Sequence, residues 1–356
     1  MKLAGPALLA SALGFSQSLS LHVREPVAAV NFAGHAVIAY ELDIANKGTS
    51  PVELRKVQIT GEAGAALLTY DRAALAKNAL LIAPKRGKLD RLNPGSRAVV
   101  FVWVEAGGPV HWLTNQVFVS GVESPLTVVS TVASESARVL GTPLDPGDWW
   151  IANGPSNTSD HRRAQVRKDG DLNAPFAQRY AIDFGLICDG RWFQNKGKAN
   201  SDYCGWGSKV LAVAAGQVVS THDGVPENSP GSLAVKLDKQ TLMGNHVILD
   251  IGGGHWALYA HLKPGSLLVK AGDRVEAGQA IGRVGNTGSS GAPHLHFHLS
   301  KAGSPEDVMT AQTDPVPYVF ANFARIGAYG TSGFASAAPE RQERCLPAAG
   351  AVIRFE

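Results

Sequence analysis

Apolar and polar residues alternate through much of the first 137 residues: Tyr40, Leu42 and Ile44 interleave with Glu41, Asp43 and Ala45 before the turn Asn46-Lys47-Gly48. A period of two sends successive side chains to opposite faces and predicts a half-buried strand. Val52 and Leu54, Val57 and Ile59, and the run Ala98 to Val104 after Asn93-Pro94-Gly95 continue this pattern. Their spacing is that of a β-sandwich of immunoglobulin-like size. The Pro/Gly break Gly141-Thr142-Pro143-Leu144-Asp145-Pro146-Gly147 then separates a second patterned region. Within it, Lys209 to Val219 and Val269 to Gln279 resemble each other, and both read as short strands turning on glycine. After about residue 328 a Gly/Ala/Ser-rich stretch reads as a loosely held tail, with Val352-Ile353-Arg354-Phe355 able to return to a sheet. The expected organisation is all-β: a leader over 1–20, a β-sandwich-like accessory domain over 21–137, a linker over 138–148, a second domain over 149–327 and a tail over 328–356.

Composition narrows this picture. The 356 residues exceed one ordinary core, since single cores stop growing near about 250 residues. The 39 glycines and 20 prolines favour many short elements joined by turns. Net charge is only +3 and no Lys/Arg run interleaves with aromatics, so nucleic-acid binding has no support. Met1-Lys2 followed by the apolar run Leu3 to Phe15 is too short for a membrane span and reads as a signal peptide cleaved near Gly14 or Ser18. A buried first strand or helix is the alternative. Export to the periplasm or the extracellular space follows from the first reading. No cysteine follows the apolar run and no later run approaches a span, so neither lipid anchoring nor a membrane span is expected. Of the three cysteines, Cys188 and Cys204 bracket a polar loop and are the favoured disulfide, leaving Cys345 free.

Candidate chemistry is confined to the second region. His294-Leu295-His296 lies in a strand-like run, where residues two apart share a face. The two imidazoles can therefore serve one site, although His298 continues the same face and leaves the ligand assignment open on spacing alone. Asp183 interrupts the apolar run Tyr180-Ala181-Ile182-Asp183-Phe184, and a buried carboxylate needs a partner or a metal. His261 ends another strand-like run, Tyr259-Ala260-His261-Leu262, with His246 and His255 near in sequence. Each of these residues alone is compatible with a structural role. His22, His35 and His111 sit singly in strand-like surroundings and read as structural, so the accessory domain reads as a binding or spacing module.

Taken in order, these segments resemble the lysostaphin-type (glycyl-glycine endopeptidase-like) zinc metallopeptidases. The resemblance runs from about Gln178 to Ser300, through Ile182-Asp183-Phe184, Gly244-Asn245-His246-Val247, Tyr259-Ala260-His261-Leu262 and Pro293-His294-Leu295-His296-Phe297. It implies an antiparallel sheet with a groove over it. It also implies one Zn2+ per chain, with Asp183 and His296 as ligands and His261 and His294 flanking the water as base and oxyanion partner. The implied substrate is peptidoglycan or another peptide. That division agrees with zinc chemistry, which needs three protein ligands and an open fourth position.

One position departs from the family pattern. The usual His-x-x-x-Asp would place histidine at 179, where this chain has Arg179, and a guanidinium cannot ligate zinc. His161, in the turn-rich segment Gly154 to Arg163, is the candidate replacement. Other branches of the family share the Gln178-Arg179-Tyr180-Ala181 pattern with an upstream histidine. His222, His246, His255 and His298 rank behind it. The alternative function is a metal-free cell-wall binding or activator protein. A carrier module resembling biotinyl or lipoyl domains ranks last, because no exposed lysine hairpin follows the two Gly turns. Substrate choice is expected in the loops Asp189 to Gly205 and His222 to Gly231.

Overall fold

A computed structural model describes residues 18–25, 27–83, 85, 87–133, 137–164, 176–308 and 313–355. The expected leader falls almost wholly outside them. Leu19 is buried and already starts a strand, so the accessory domain begins just before the boundary expected at residue 21. Contacts divide the chain into two units, the first chiefly His35–Ser136 and the second chiefly Ala137–Arg162 with Phe176–Glu356.

β1 (Leu19–Arg24) is followed in the chain by β2 (Ala29–Phe32), most of which falls in the second unit; the first unit holds β1, β3 (His35–Asn46), β4 (Leu54–Thr60), β5 (Ala66–Tyr70), β6 (Ala79–Ala83), β7 (Gly87–Lys88), β8 (Arg97–Ala106), β9 (Trp112–Val119) and β10 (Leu126–Thr131). They form two antiparallel sheets, ordered β1-β3-β8-β6-β7 and β10-β9-β4-β5. Leu42, Ile44, Val100 and Val102 of one sheet and Val57, Ile59, Leu113 and Val117 of the other join a single buried cluster. Two sheets sharing one core make a β-sandwich, which is what the period-two pattern predicts. The short helix Arg72–Asn78 is capped by Asp71, whose carboxylate accepts from Ala74 N–H at 2.8 Å.

The second unit contains β11 (Arg138–Leu140), β12 (Asp148–Asn153), β13 (Ile182–Ile187), β14 (Lys209–Leu211), β15 (Gly216–His222), β16 (Asn245–Asp250), β17 (Trp256–Leu262), β18 (Arg274–Val275), β19 (Ala280–Arg283), β20 (Leu295–Lys301), β21 (Asp314–Pro315), β22 (Tyr318–Gly330), β23 (Gly333–Cys345) and β24 (Ala351–Arg354). Ten run in the order β11-β22-β24-β12-β13-β20-β17-β16-β15-β18, with β21 beside β20 and β23 beside β22. The pairs are antiparallel except β11 with β22. The two similar segments seen in the sequence pair with each other where β15 joins β18, and β14 joins β19 just beyond the second segment.

Two expectations are corrected. The 138–148 stretch is tied into the sheet: β11 pairs with β22, Gly141 N–H donates to Val213 O at 2.7 Å, and Leu144 is fully buried. The 328–356 stretch is not a loose tail, because β22 and β23 form a long hairpin and β24 lies between β22 and β12. Composition concealed this. β23 exposes most of its side chains and is held by backbone hydrogen bonds, so it has no apolar period to read. Pro339, Arg341 and Glu343 along it suit an edge strand.

Two loops meet at Gly244 and Gly288 with no room for a side chain. Both have positive φ, and a Cβ on Gly288 would lie 2.3 Å from Gly244 N. Gly278 also has positive φ, at +80°, but its Cβ would meet nothing within 4 Å. In urea denaturation, Gly278→Ala should cost about 1 kcal/mol for the left-handed backbone alone. Gly288→Ala should cost about 3 kcal/mol or more, because backbone must also move. Equal costs would remove the close approach as the reason for glycine at 288.

Candidate metal centre

Four neighbouring strands bring the site together. In register, Asn153 of β12 faces Asp183 of β13, Asp183 faces His296 of β20, and His296 faces Ala260 of β17. Residues opposite one another point to the same face, so Asp183 and His296 project side by side. His161 arrives from the one-turn helix Asp160–Ala164. Ser159, just before that helix, donates its hydroxyl to Asn153 Oδ1 at 3.0 Å, and Asn153 Nδ2 donates to Asp183 Oδ2 at 3.4 Å. The helix is thus linked to the carboxylate it serves.

The donor atoms of His161, Asp183 and His296 all lie within 4.8 Å of one another, the one such group among the described residues. His161 Nε2 is 3.0 Å from Asp183 Oδ2, and His296 Nδ1 is 2.9 Å from Oδ1. A tetrahedral ion with bonds near 2.0–2.1 Å has ligand-to-ligand edges of about 3.3 Å, so this set needs little adjustment to hold one. Burial alone would raise the Asp183 carboxyl, but the facing His161 and His294 imidazoles outweigh it and hold the group well below the usual carboxylate range.

Hydrogen-bond polarity around His296 supplies a second test of fit. His298 Nε2 faces Val308 O at 3.4 Å, and His298 Nδ1 faces His296 Nε2 at 3.0 Å. A carbonyl only accepts, so the proton of His298 is on Nε2 and its Nδ1 is a lone pair. His296 must then donate from Nε2. Burial holds His296 down to about 4 and drives His298 well below its usual value, so both rings are neutral near pH 7. The Nδ1 of His296 is therefore a bare lone pair aimed at a carboxylate oxygen, an arrangement that suits a cation between them. The residues present fit zinc.

His261 and His294 complete the pocket, with ring centroids 4.9 Å apart. His261 Nδ1 donates to Thr287 O at 2.8 Å, which leaves Nε2 as a lone pair. Burial, aided by His294 and His296, drives this imidazole well below its usual value, so it is neutral. It adopts φ +66°, a left-handed conformation rare outside glycine, where β16 and β17 slip register. Strain of this kind, about 1–3 kcal/mol, gathers at functional sites. His294 Nδ1 donates to Ala292 O at 2.8 Å, and its Nε2 lies 3.5 Å from Asp183 Oδ1. Burial would lower His294, but the Asp183 carboxylate outweighs it and raises the group.

All five residues singled out as ligands or catalytic partners therefore lie together. His222 and His246 stack on each other at 5.6 Å between centroids as a separate pair, and His298 lies behind His296. Asn153 and the carbonyls of Thr287 and Ala292 had no recognisable sequence signal. Cys188 and Cys204 form the expected disulfide and Cys345 is free and buried. The bridge staples the 189–205 loop, where Trp192, Phe193 and Tyr203 pack together.

Residues 202–308 match the model of Peptidase family M23. The matched stretch includes His261, His294 and His296 and begins downstream of Asp183. The chain is 43% identical over 68 residues to peptidoglycan DD-endopeptidase ShyA of Vibrio cholerae serotype O1, covering 19% of this chain and 15% of that protein. Over 94 residues it is 40% identical to glycyl-glycine endopeptidase ALE-1 of Staphylococcus capitis, covering 26% and 23%. Lysostaphin of Staphylococcus simulans is 41% identical over 91 residues, covering 25% and 16%. The chain thus spans less than a quarter of the length of these relatives. Among solved structures, the catalytic domain of lysostaphin from Staphylococcus simulans aligns at 23% identity with a TM-score of 0.26, over 47% of this chain and 86% of that one. A zinc-containing peptidase from Vibrio cholerae aligns at 14% identity with a TM-score of 0.29, over 88% and 91%.

Acid stability tests the buried imidazoles. Burial lowers His246 from 6.5 to about 4, and its Nδ1 faces Gly244 O at 2.9 Å. The unfolded chain binds this proton below about pH 6.5 and the folded chain only below about 4, so His246 favours folding above that window and loses its contribution as pH falls through it. In chelator-treated protein, His246→Phe should flatten the fall in unfolding free energy between pH 6.5 and 4 by about 1.4 kcal/mol per pH unit. An unchanged slope would mean that His246 takes up its proton freely in the folded state.

Proposed function

We propose that the protein is a zinc-dependent endopeptidase that hydrolyses peptide bonds in peptidoglycan stem peptides or cross-bridges. The observation that carries this reading is the convergence of His161, Asp183 and the bare Nδ1 of His296 on one point beside His261 and His294. Peptidoglycan as substrate rests on the named activities of the relatives. His161, Asp183 and His296 would hold the ion, with His161 in place of the ligand missing at Arg179. Bound there, zinc would supply Lewis acidity to a water and to the scissile carbonyl.

The chain's own residues do the remaining work. His261, neutral with Nε2 unprotonated, receives the proton of the attacking water. His294, raised toward its charged form by Asp183, donates from Nε2 to the oxyanion that develops on the scissile carbonyl. The loops 189–205 and 222–231 form the groove that selects the peptide. The first unit acts as a binding or spacing module. Work on a wall polymer agrees with export to the periplasm or extracellular space, and no helix among the described residues is long and apolar enough to cross a membrane.

Purified protein should carry about one zinc per chain and cleave purified peptidoglycan. His161→Ala, Asp183→Ala and His296→Ala should each lose zinc and activity together. His261→Ala and His294→Ala should keep zinc while kcat falls by about 100-fold or more. Zinc near zero in the parent protein, not restored by a modest excess, would favour a metal-free cell-wall binding or activator protein. Retention of zinc and activity by His161→Ala would remove that residue from the ligand set.

A further inference from the structure

We infer that His298 is a positioning residue that makes His296 competent to bind metal, by fixing on which ring nitrogen His296 carries its proton. This rests on the zinc reading of the site and concerns a residue that does not reach the metal position itself. His298 is 1% exposed, stands two residues along β20 from His296 and therefore projects from the same face. Its contacts are polar at both ends: Nδ1 toward His296 Nε2 at 3.0 Å and Nε2 toward Val308 O at 3.4 Å.

The direction of this chain is set at its far end. If His298 carried its proton on Nδ1, its bare Nε2 would oppose the Val308 carbonyl, lone pair against lone pair. With the proton on Nε2, His298 presents an acceptor to His296. His296 then holds its own proton on Nε2 and keeps Nδ1 free for the ion. Without an acceptor behind it, His296 gains by moving the proton to Nδ1 and donating to Asp183 Oδ1, only 2.9 Å away. That internal hydrogen bond occupies both donor atoms a metal would need. His298 thus disfavours the closed, metal-free pairing of His296 with Asp183, a role distinct from filling space. The partner of a ligating imidazole's second nitrogen is a known control on metal sites, its loss typically costing about 10–100-fold in affinity.

Three full-length variants test this. The amide oxygen of asparagine falls near the position of an imidazole Nδ1 and can accept from His296 Nε2. That of glutamine falls near Nε2, too far along to do so, and leucine offers no acceptor. Zinc affinity, measured by competition with a chromogenic chelator, should fall about 10–100-fold in His298→Leu and His298→Gln. It should remain close to the parent value in His298→Asn. Zinc-free melting temperatures separate a packing role, which would lower melting in all three variants without sparing asparagine's affinity. Long-range 1H–15N spectra of the zinc-free protein should show the His296 proton on Nε2 in the parent and on Nδ1 in the leucine variant. Parent-like affinity in His298→Leu, or equal losses in His298→Asn and His298→Gln, would overturn the inference while leaving the zinc enzyme intact. If leucine prevents folding, the asparagine and glutamine pair decides. A parent protein that takes up no zinc would overturn both this inference and the proposed function.

Discussion

A carboxylate held among imidazoles at the centre of a sheet is the constraint on which the rest of the second unit depends. Asp183 interrupts an apolar strand whose neighbours Ile182 and Phe184 are fully buried. Taking a carboxylate out of water costs several kcal/mol unless charge and hydrogen bonds offset it. The offset comes from His161 and His294 on its two oxygens, with Asn153 beside them. Each partner comes from a different place in the chain, so satisfying one carboxylate requires β12, β13, β20 and the helix Asp160–Ala164 to take up their places together. The same requirement draws a histidine from the 160–164 helix into a position that the turn carrying Arg179 does not supply.

Around that carboxylate, backbone carbonyls set the protonation pattern of the histidines. Thr287 O takes the Nδ1 proton of His261, Ala292 O that of His294, and Val308 O the Nε2 proton of His298. Carbonyls only accept, so each contact removes one of two tautomers and leaves the other nitrogen with a defined role. His296 has no carbonyl of its own and receives its instruction from His298. Four neighbouring imidazoles with the same intrinsic chemistry are thereby left with different nitrogens bare, as the proposed roles of ligand, proton acceptor, donor and support require. The loops that supply the carbonyls are themselves pinned, Thr287 through its hydroxyl on Leu262 O and Asn245 N, and Gly288 by its close approach to Gly244.

Much of this was legible in the chain, and the readable parts share a physical cause. Where one face of a strand is buried and the other wet, burial writes a period of two into the sequence, as along Tyr40 to Ile44. Where a polar group stands in an apolar strand, its cost draws attention to it, as with Asp183. Spacing put His294 and His296 in one neighbourhood, and the run of motifs made the lysostaphin-type resemblance. Parts held by backbone bonding alone carried no such mark. β23 buries little, so its composition imitated a tail, and β11 hid within a Pro/Gly break. His161 could be nominated only because a ligand was missing, and Asn153 could not be nominated at all.

The sequence by itself determined the all-β class, the strand carrying Asp183 and the pair His294 and His296, because local alternation and the expense of a buried charge are properties of neighbouring residues. Only the tertiary structure decided that His161 faces Asp183, that His298 stands behind His296 and that His261 bends into a left-handed backbone. Those outcomes depend on strand register and loop contact between residues up to 138 positions apart in the chain, as Asp183 opposite His296 and the Tyr318 hydroxyl on Tyr180 O illustrate. No local pattern encodes such distances, since register is chosen by the sum of burial and hydrogen bonding over the whole sheet.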